Sequence, residues 1–359
     1  MKIVVAGGGT AGHVEPALAV AYTFQQSHPD AEILFLGTRS GLETRLVPEA
    51  GFALRLIPKV SFPRTLNIKA VLFPFTFASA IVRALQAIQG ADLVIGFGGY
   101  VSTPAYVAAA IKRIPIVIHE ANAKPGLANR FGALLTPYCA ISHPISRGKL
   151  SKALLTGIPL RSNIARAFEG ASGNWESARE NAKKSLGFLA TEPLFFIFGG
   201  SLGSKALNDV ITGAQVELAA RGINILHGVG SNNPLPTSSA KYIPQSYITD
   251  MATAYLAADV VISRSGAITC SEVAALGKYA LFIPLPIGNG EQELNAATLV
   301  AQERAEIVQQ KDFTAPWLIA NAERILRRST AAHPAGSDRD LTAASKIAAL
   351  IEHALSGGK

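Results

Sequence analysis

Residues 1–16 read MKIVVAGGGTAGHVEP. A short apolar run meets a glycine cluster, and a helix-forming stretch follows. Gly7, Gly9 and Gly12 spell G-x-G-x-x-G, the strand–turn–helix signature of a Rossmann unit. A dinucleotide site also needs an acid ending the second strand, to hold the ribose hydroxyls. That strand, AEILFLG (31–37), runs into Thr38–Arg39–Ser40 without a carboxylate. Arg39 alone suits a 2′-phosphate, so an NADP-dependent oxidoreductase is the weaker reading. His13 follows the third glycine directly, at the sheet edge where ligands of such folds bind. A histidine there can serve as general base near neutral pH, or merely cap the helix.

The same plan extends outward from this stretch. Glu15–Gln26 reads as a helix with Pro16 near its first turn. DLVIGFG (92–98), IPIVIHE (114–120), TPYCAIS (136–142) and KALLTG (152–157) read as further strands, with a helix over Tyr106–Lys112. Continuous Val/Ile/Leu runs, rather than alternating ones, mark strands buried on both faces of a parallel sheet. The second half repeats the pattern. LFFIFGGSLGS (194–204) is again strand, glycine loop and helix, and INILHGVG, DVVISRSG and YALFIPLP follow as strands. The fold class is therefore α/β, with two doubly wound Rossmann-like domains. Their boundary falls near TGIPLRSNI (156–164). The polar stretch Gly170–Lys184 reads as a surface excursion and SNNPLPTSS (231–239) as a loop. A last helix, roughly Asp340–Ala354, follows the completed second sheet and is free to pack elsewhere.

Composition narrows the function. The 359 residues are 49% hydrophobic and 16% charged, a globular balance. Two distant cysteines offer neither metal spacing nor a disulfide framework. The formal net charge of +8 lies wholly in the first half: residues 1–160 carry 15 Lys/Arg against 7 Asp/Glu, and residues 161–359 carry 18 of each. An anionic partner for that half follows, or simply a soluble basic surface. AVLFPFTFASAIV (70–82) is too short to span a bilayer. With Arg64, Lys69 and Arg83 around it, it suits lying on a membrane surface, or packing as a buried helix.

Three loops at strand ends carry the first domain's chemistry: the opening loop, GFGGYVSTP (96–104) and HEANAKPG (119–126), which crowds His119, Glu120 and Asn122 together. In the second domain SRSGAITCSEVAALGK (263–278) opens a helix at Ser265–Gly266, a start suited to an anion. Glu272 shares a face with Thr269 and suits two ribose hydroxyls. GGSLGS (199–204) adds phosphate-facing amides, and GNGEQELNA (288–296) places Gln292 and Asn295 at a helix start. The only D-x-D, Asp338–Arg339–Asp340, precedes the last helix, where acids serve as caps, so no metal site is expected.

This ordered set of motifs resembles the MurG family of peptidoglycan glycosyltransferases over nearly the whole chain. The resemblance implies a GT-B fold, two Rossmann-like domains facing across a cleft. Residues 1–160 with the helix 338–356 would bind the acceptor and the membrane, and residues 161–337 the donor, UDP-N-acetylglucosamine. The expected reaction is inverting transfer of N-acetylglucosamine to lipid I, giving lipid II, with no cofactor and no metal. A related transferase with another lipid acceptor is the alternative. By matching motifs, His13 is the base, aided or replaced by Glu120. Thr10, Gly12, Asn122, Arg161, Ser201, Ile248, Ile268, Thr269, Glu272 and Gln292 would bind the donor. Gly8, Gly9, His13, Gly98, Gly99, Tyr100 and His119 would bind the acceptor. Ile68, Lys69, Leu72, Phe73 and Phe75 would meet anionic lipid on the cytoplasmic face of the membrane. Nucleic acid is not an expected partner; wall-synthesis and division proteins are candidate ones. The chain departs from the family pattern at Glu15, Ala121, Ile158 and Glu291.

Overall fold

The computed structural model describes residues 1–60, 68–200, 202–286, 290–331 and 336–357, with residues 68–71 described by backbone alone. It divides into two compact units, Met1–Arg161 with Asp340–Lys359, and Ser162–Arg339.

The first unit is a seven-stranded sheet in the order β3-β2-β1-β4-β5-β6-β7. Its strands are β1 (Lys2–Gly7), β2 (Glu32–Gly37), β3 (Ala53–Leu56), β4 (Leu93–Gly98), β5 (Ile116–Glu120), β6 (Cys139–Ile141) and β7 (Leu154–Leu155). Every pairing is parallel, so all carboxyl ends lie on one edge. The chain reverses its strand order between β1 and β4, the place where such sheets open a crevice. Helices α1 (Ala11–Ser27) and α2 (Glu43–Glu49) follow β1 and β2; α3 (Ile68–Ala87), α4 (Ser102–Lys112) and α5 (Leu127–Gly132) follow β3, β4 and β5. Val4, Ala6 and Val94 face α3 and α4 through Ala84, Ala87, Ala105 and Tyr106. Ile3, Val5 and Ile95 face α1 through Ala17, Val20 and Phe24.

The second unit is a six-stranded parallel sheet, β10-β9-β8-β11-β12-β13. The strands are β8 (Leu194–Phe198), β9 (Asn224–Gly228), β10 (Tyr242–Gln245), β11 (Val260–Ser263), β12 (Tyr279–Phe282) and β13 (Ala305–Ile307). Around them lie α6 (Ser162–Ala171), α7 (Trp175–Ser185), α8 (Lys205–Ala220), α9 (Met251–Ala257), α10 (Ala267–Ala275), α11 (Glu291–Ala301) and α12 (Ala315–Ala331). The final helix, α13 (Ala343–Leu355), returns to the first unit. Ile347, Ala348, Ile351 and Ala354 complete the core under α1.

Three local expectations change. Helix α1 begins at Ala11, so Pro16 lies inside it and not in the first turn. Proline has no N–H, so the Gly12 carbonyl one turn earlier goes without its intrahelical bond from position 16. The stretch Gly170–Lys184 is largely helical: Asn174 caps α7 by accepting from the Ser177 amide. Lys183 and Arg179 then tie α7 to Asp259 at 2.6 and 2.8 Å. The acidic pair near 338–340 does not provide the cap of α13, whose N-cap is Thr342.

Candidate active site

In the first unit three glycines from two turns close on one histidine. Gly9, Gly98 and Gly99 all have positive φ, which favours glycine. A Cβ at Gly99 would collide with the Gly8 carbonyl, and one at Gly98 would lie 3.2 Å from His13 Nε2. The glycines thus keep the face of the imidazole clear. Ser102 locks this arrangement by donating to both the Ala6 and Gly98 carbonyls, at 2.9 and 2.7 Å. His13 Nδ1 meets the Thr10 hydroxyl at 3.1 Å. Burial pushes the His13 pKa below the ordinary histidine value, while the Glu43 carboxylate and the Gly8 backbone pull it upward. The ring is therefore neutral at neutral pH and able to accept a proton. Tyr100 stands exposed beside Gly9 with the Lys59 ammonium over its ring, 4.5 Å from the centroid.

Glu120 and His119 sit differently from their expected roles. The Glu120 carboxylate is buried and accepts four hydrogen bonds, from the backbone amides of Asn122 and Gly126 and the side chains of Asn122 and Asn129, at 2.9–3.1 Å. Burial raises its pKa, and those donors offset part of the rise. Its geometry holds the 121–126 loop rather than reaching for a substrate proton. Asn129 in turn donates to the His119 carbonyl and accepts from Tyr106, so one buried chain of polar groups supports the loop. His119, expected among the acceptor contacts, is 1% exposed. Its Nε2 lies 3.0 Å from both the Gly157 carbonyl and the Ser142 hydroxyl, and burial lowers its pKa to about 4. A side chain held in this way ties β5 to the segment after β7.

One residue of the first unit, Glu43, was not legible in the sequence as a site element. Glu43, fully buried, accepts from the Gly9 amide (2.8 Å), the Thr38 amide (2.7 Å) and the Thr38 hydroxyl (3.1 Å). Arg161 forms an ion pair with Glu15 at 3.7 Å, both largely shielded from solvent. That gives the unusual Glu15 a partner and places Arg161, with Thr10, Gly12 and Asn122, in the first unit.

The second unit gathers its own set at the carboxyl edge. Gly200 and Gly203 have positive φ, and a Cβ at Gly203 would collide with the Val229 carbonyl. Ser204 caps α8 by accepting from the Leu207 amide. Arg264, at the end of β11, donates to the Ile283 and Pro284 carbonyls (2.9 and 3.2 Å), the Ser204 hydroxyl (2.9 Å) and Gln310 (2.5 Å). One guanidinium thus fixes the ends of β8, β11 and β12 together. Helix α10 starts at Gly266 with no side-chain cap, which leaves its first amides for an anion. Ile268 is buried at that start, Thr269 is half-buried, and Glu272 is buried one turn further on. Ile248 packs against Gly228 at the end of β9. The Gln292 side-chain carbonyl accepts from the Leu285 amide at 2.9 Å, and Asn295 donates to the Ser265 carbonyl at 3.3 Å. Ser201 lies outside the described residues.

The sequence matches two family models: the glycosyltransferase family 28 N-terminal domain over residues 3–136 and the family 28 C-terminal domain over residues 194–351. The chain belongs to glycosyltransferase family 28. Similar curated proteins come from Thermobifida fusca (41% identity, 98% of this chain and 94% of the relative) and Streptomyces coelicolor (44%, 91% and 89%). Both are named UDP-N-acetylglucosamine–N-acetylmuramyl-(pentapeptide) pyrophosphoryl-undecaprenol N-acetylglucosamine transferase. Among solved structures, Acinetobacter baumannii MurG is similar at 28% identity and a TM-score of 0.70, covering 98% of this chain and 99% of that one. With its two Rossmann-like units, this family 28 chain is of the GT-B class. Among the described residues no helix is long and apolar enough to cross a membrane.

Proposed function

We propose that this family 28 protein transfers N-acetylglucosamine from UDP-N-acetylglucosamine to the C4 hydroxyl of the muramyl sugar of lipid I, forming lipid II with a β-1,4 link. The observation that carries the reading is the near full-length identity to transferases of that name. The reaction is a single displacement with inversion. The acceptor oxygen attacks C1 of the donor sugar, and His13 takes its proton. The bond from C1 to the phosphate oxygen breaks, and UDP leaves with the electron pair. The amides opening α10 and the guanidinium of Arg161 stabilise the developing charge, so no step calls on a metal. Glu272 holds the ribose, Ile248 offers backbone to the uracil, Ser201 and Thr269 flank the phosphates, and Gln292 and Asn122 read the sugar. The glycine turns of the first unit and Tyr100 receive the muramyl end of the acceptor.

The membrane role rests on α3. Leu72 and Phe75 are exposed, Phe73 stacks on Phe77 at 5.6 Å, and Arg83 is exposed about two turns beyond Phe75. The side chains of Ile68 and Lys69 lie outside the described residues. This face docks the enzyme on an anionic membrane as a peripheral protein of the cytoplasmic side, within reach of other wall-synthesis and division proteins.

Labelled N-acetylglucosamine, offered with a lipid I analogue or with diacylglycerol, tests the reading. Product from the first and not the second is expected. No product from the lipid I analogue sinks the function, and loss of product in EDTA sinks the metal-free leaving-group step.

A further inference from the structure

The carboxylate that a dinucleotide-binding Rossmann unit keeps at the end of its second strand is missing from Gly37–Arg39, yet the space is not empty. Glu43 fills it from the first turn of α2. Three glycines from two loops make room for it. A Cβ at Gly37 or Gly41 would collide with the Glu43 side chain, and one at Gly8 would lie 2.8 Å from its Oε1. One oxygen takes the Thr38 amide and hydroxyl; the other reaches 34 residues back along the chain to the Gly9 amide. The Gly9 amide is thereby engaged by the protein itself and withdrawn from any phosphate.

We propose that Glu43 is a positioning residue for the transfer: it occupies the vestigial nucleotide cradle of the first unit, anchors the Gly8–Gly9 turn, and places its negative charge behind His13. The inference rests on the role given to His13 above. It explains why a fold with the dinucleotide signature has no acid free for a ribose in its first unit. It also supplies the counterweight that burial of the imidazole requires, since a nearby carboxylate favours the protonated ring that forms as the acceptor hydroxyl loses its proton. The other ionisable groups around the ring are placed differently. Glu15 on α1 is paired with Arg161. Tyr100 after β4 lies under Lys59. Glu120 after β5 is held by Asn129 and the 122–126 amides. Glu43 is the carboxylate whose charge acts on His13.

The substitution E43Q tests this on the full chain. The amide oxygen can still accept from Thr38, but the new NH2 group faces the Gly9 N–H, donor against donor. The expected signature is a kcat lowered about tenfold or more, with the KM for UDP-N-acetylglucosamine within about twofold of wild type. Removing the negative charge lowers the His13 pKa, so the acid limb of the kcat/KM profile shifts to lower pH. An unchanged kcat, or a donor KM that rises as far as kcat falls, overturns the proposal. The His13 ring titration, followed by NMR in both proteins, keeps it separate from the transferase reading. That titration shifts to lower pH in E43Q whether or not the wild type makes lipid II, and an unmoved titration overturns the inference alone. If E43Q does not fold, E43D retains the charge and shortens the reach to Gly9. A lowered kcat at constant donor KM is then expected, and an unchanged kcat overturns the anchoring role.

Discussion

The two units share one topology and furnish it oppositely. Each has a glycine loop after its first strand and a second loop beyond the point where strand order reverses. In the first unit the chain's own carboxylates take the strand-end amides: Glu43 holds Gly9 and Thr38, and Glu120 holds Asn122 and Gly126. In the second unit a cation, Arg264, ties the strand ends by donating to the Ile283 and Pro284 carbonyls; α1 and α10 alike begin without a side-chain cap. An edge whose amides are already engaged by carboxylates is a poor phosphate cradle and a fitting place for a proton acceptor. An edge that carries a guanidinium among its strand ends favours an anionic ligand instead. Topology alone decides neither role; the side chains placed on it do.

The strongest way to break this contrast is to remove His13. His13→Ala is expected to lower kcat by about 10²-fold or more, the usual contribution of a general base. The KM for the donor should move by less than about threefold, because His13 is placed on the acceptor and most of the proposed donor contacts lie in the second unit. Steady-state kinetics with both substrates varied decide the point. A kcat loss under about tenfold would argue that water or another group takes the proton.

Much of this contrast was readable from sequence, and its limits are physical. The central strands announced themselves as continuous apolar runs ending in glycine, since they are buried on both faces. The edge strand β3 (ALRL) is mostly exposed and carries no such run, and β10 and β13 are no longer than it. Helix α7 looked like a loop because most of its residues are polar; its place comes from Lys183 and Arg179 meeting Asp259 some 80 residues later. Glu43 and Arg264 were missed for the same reason. Their partners lie 34 and 19–20 residues away, and only glycines 8, 37 and 41 hinted that a side chain needed room. His119 and Glu120 sat in the right loop, but burial, which no motif states, turned them inward.

Each unit also holds a structural buried histidine, His119 in the first and His227 in the second, and here the two should behave alike. His227 lies between the Tyr242 hydroxyl (2.9 Å) and Asn208 Oδ1 (3.1 Å), so the neutral ring with Nε2–H satisfies both. Burial lowers its pKa to about 4, as it does for His119. The folded state resists protonation while the unfolded chain takes up a proton near the ordinary value of 6.5. Between pH 6.5 and 4 the unfolded state binds more protons, so stability is full above 6.5 and falls as pH drops through that window. Each histidine contributes about 3 kcal/mol at most. Hydrogen exchange or denaturant melts at pH 7 and pH 5 should show both units weakened. Loss confined to one unit would mean that the other's histidine is hydrated.

Glu272 tests the contrast from the donor side. Glu272→Ala should raise the donor KM about tenfold to a hundredfold, the worth of hydrogen bonds to a charged group, with a smaller change in kcat. A mirror image of the His13→Ala result is thus expected: one substitution acts on the chemical step and the other on donor binding. If both variants lose kcat equally at constant KM, the division between the units fails.

The smallest effect concerns the surface on which the charge asymmetry bears. All of the net positive charge lies in the first 160 residues, and that unit also exposes Phe75, at 73%, and Leu72 on α3. Either property alone binds a bilayer weakly; an apolar contact beside basic residues adds the two. Phe75→Asp removes a ring worth about 1.5–3 kcal/mol if fully inserted and adds repulsion from anionic headgroups. Partial insertion sets the expected loss nearer tenfold in partition to vesicles containing phosphatidylglycerol, measured by sedimentation. The same substitution should leave turnover on a soluble lipid I analogue unchanged, since α3 belongs to the docking face and not to the strand-end loops. Unaltered vesicle binding would assign the charge asymmetry to the acceptor's own phosphates, and α3 would then be an exposed helix with no lipid partner.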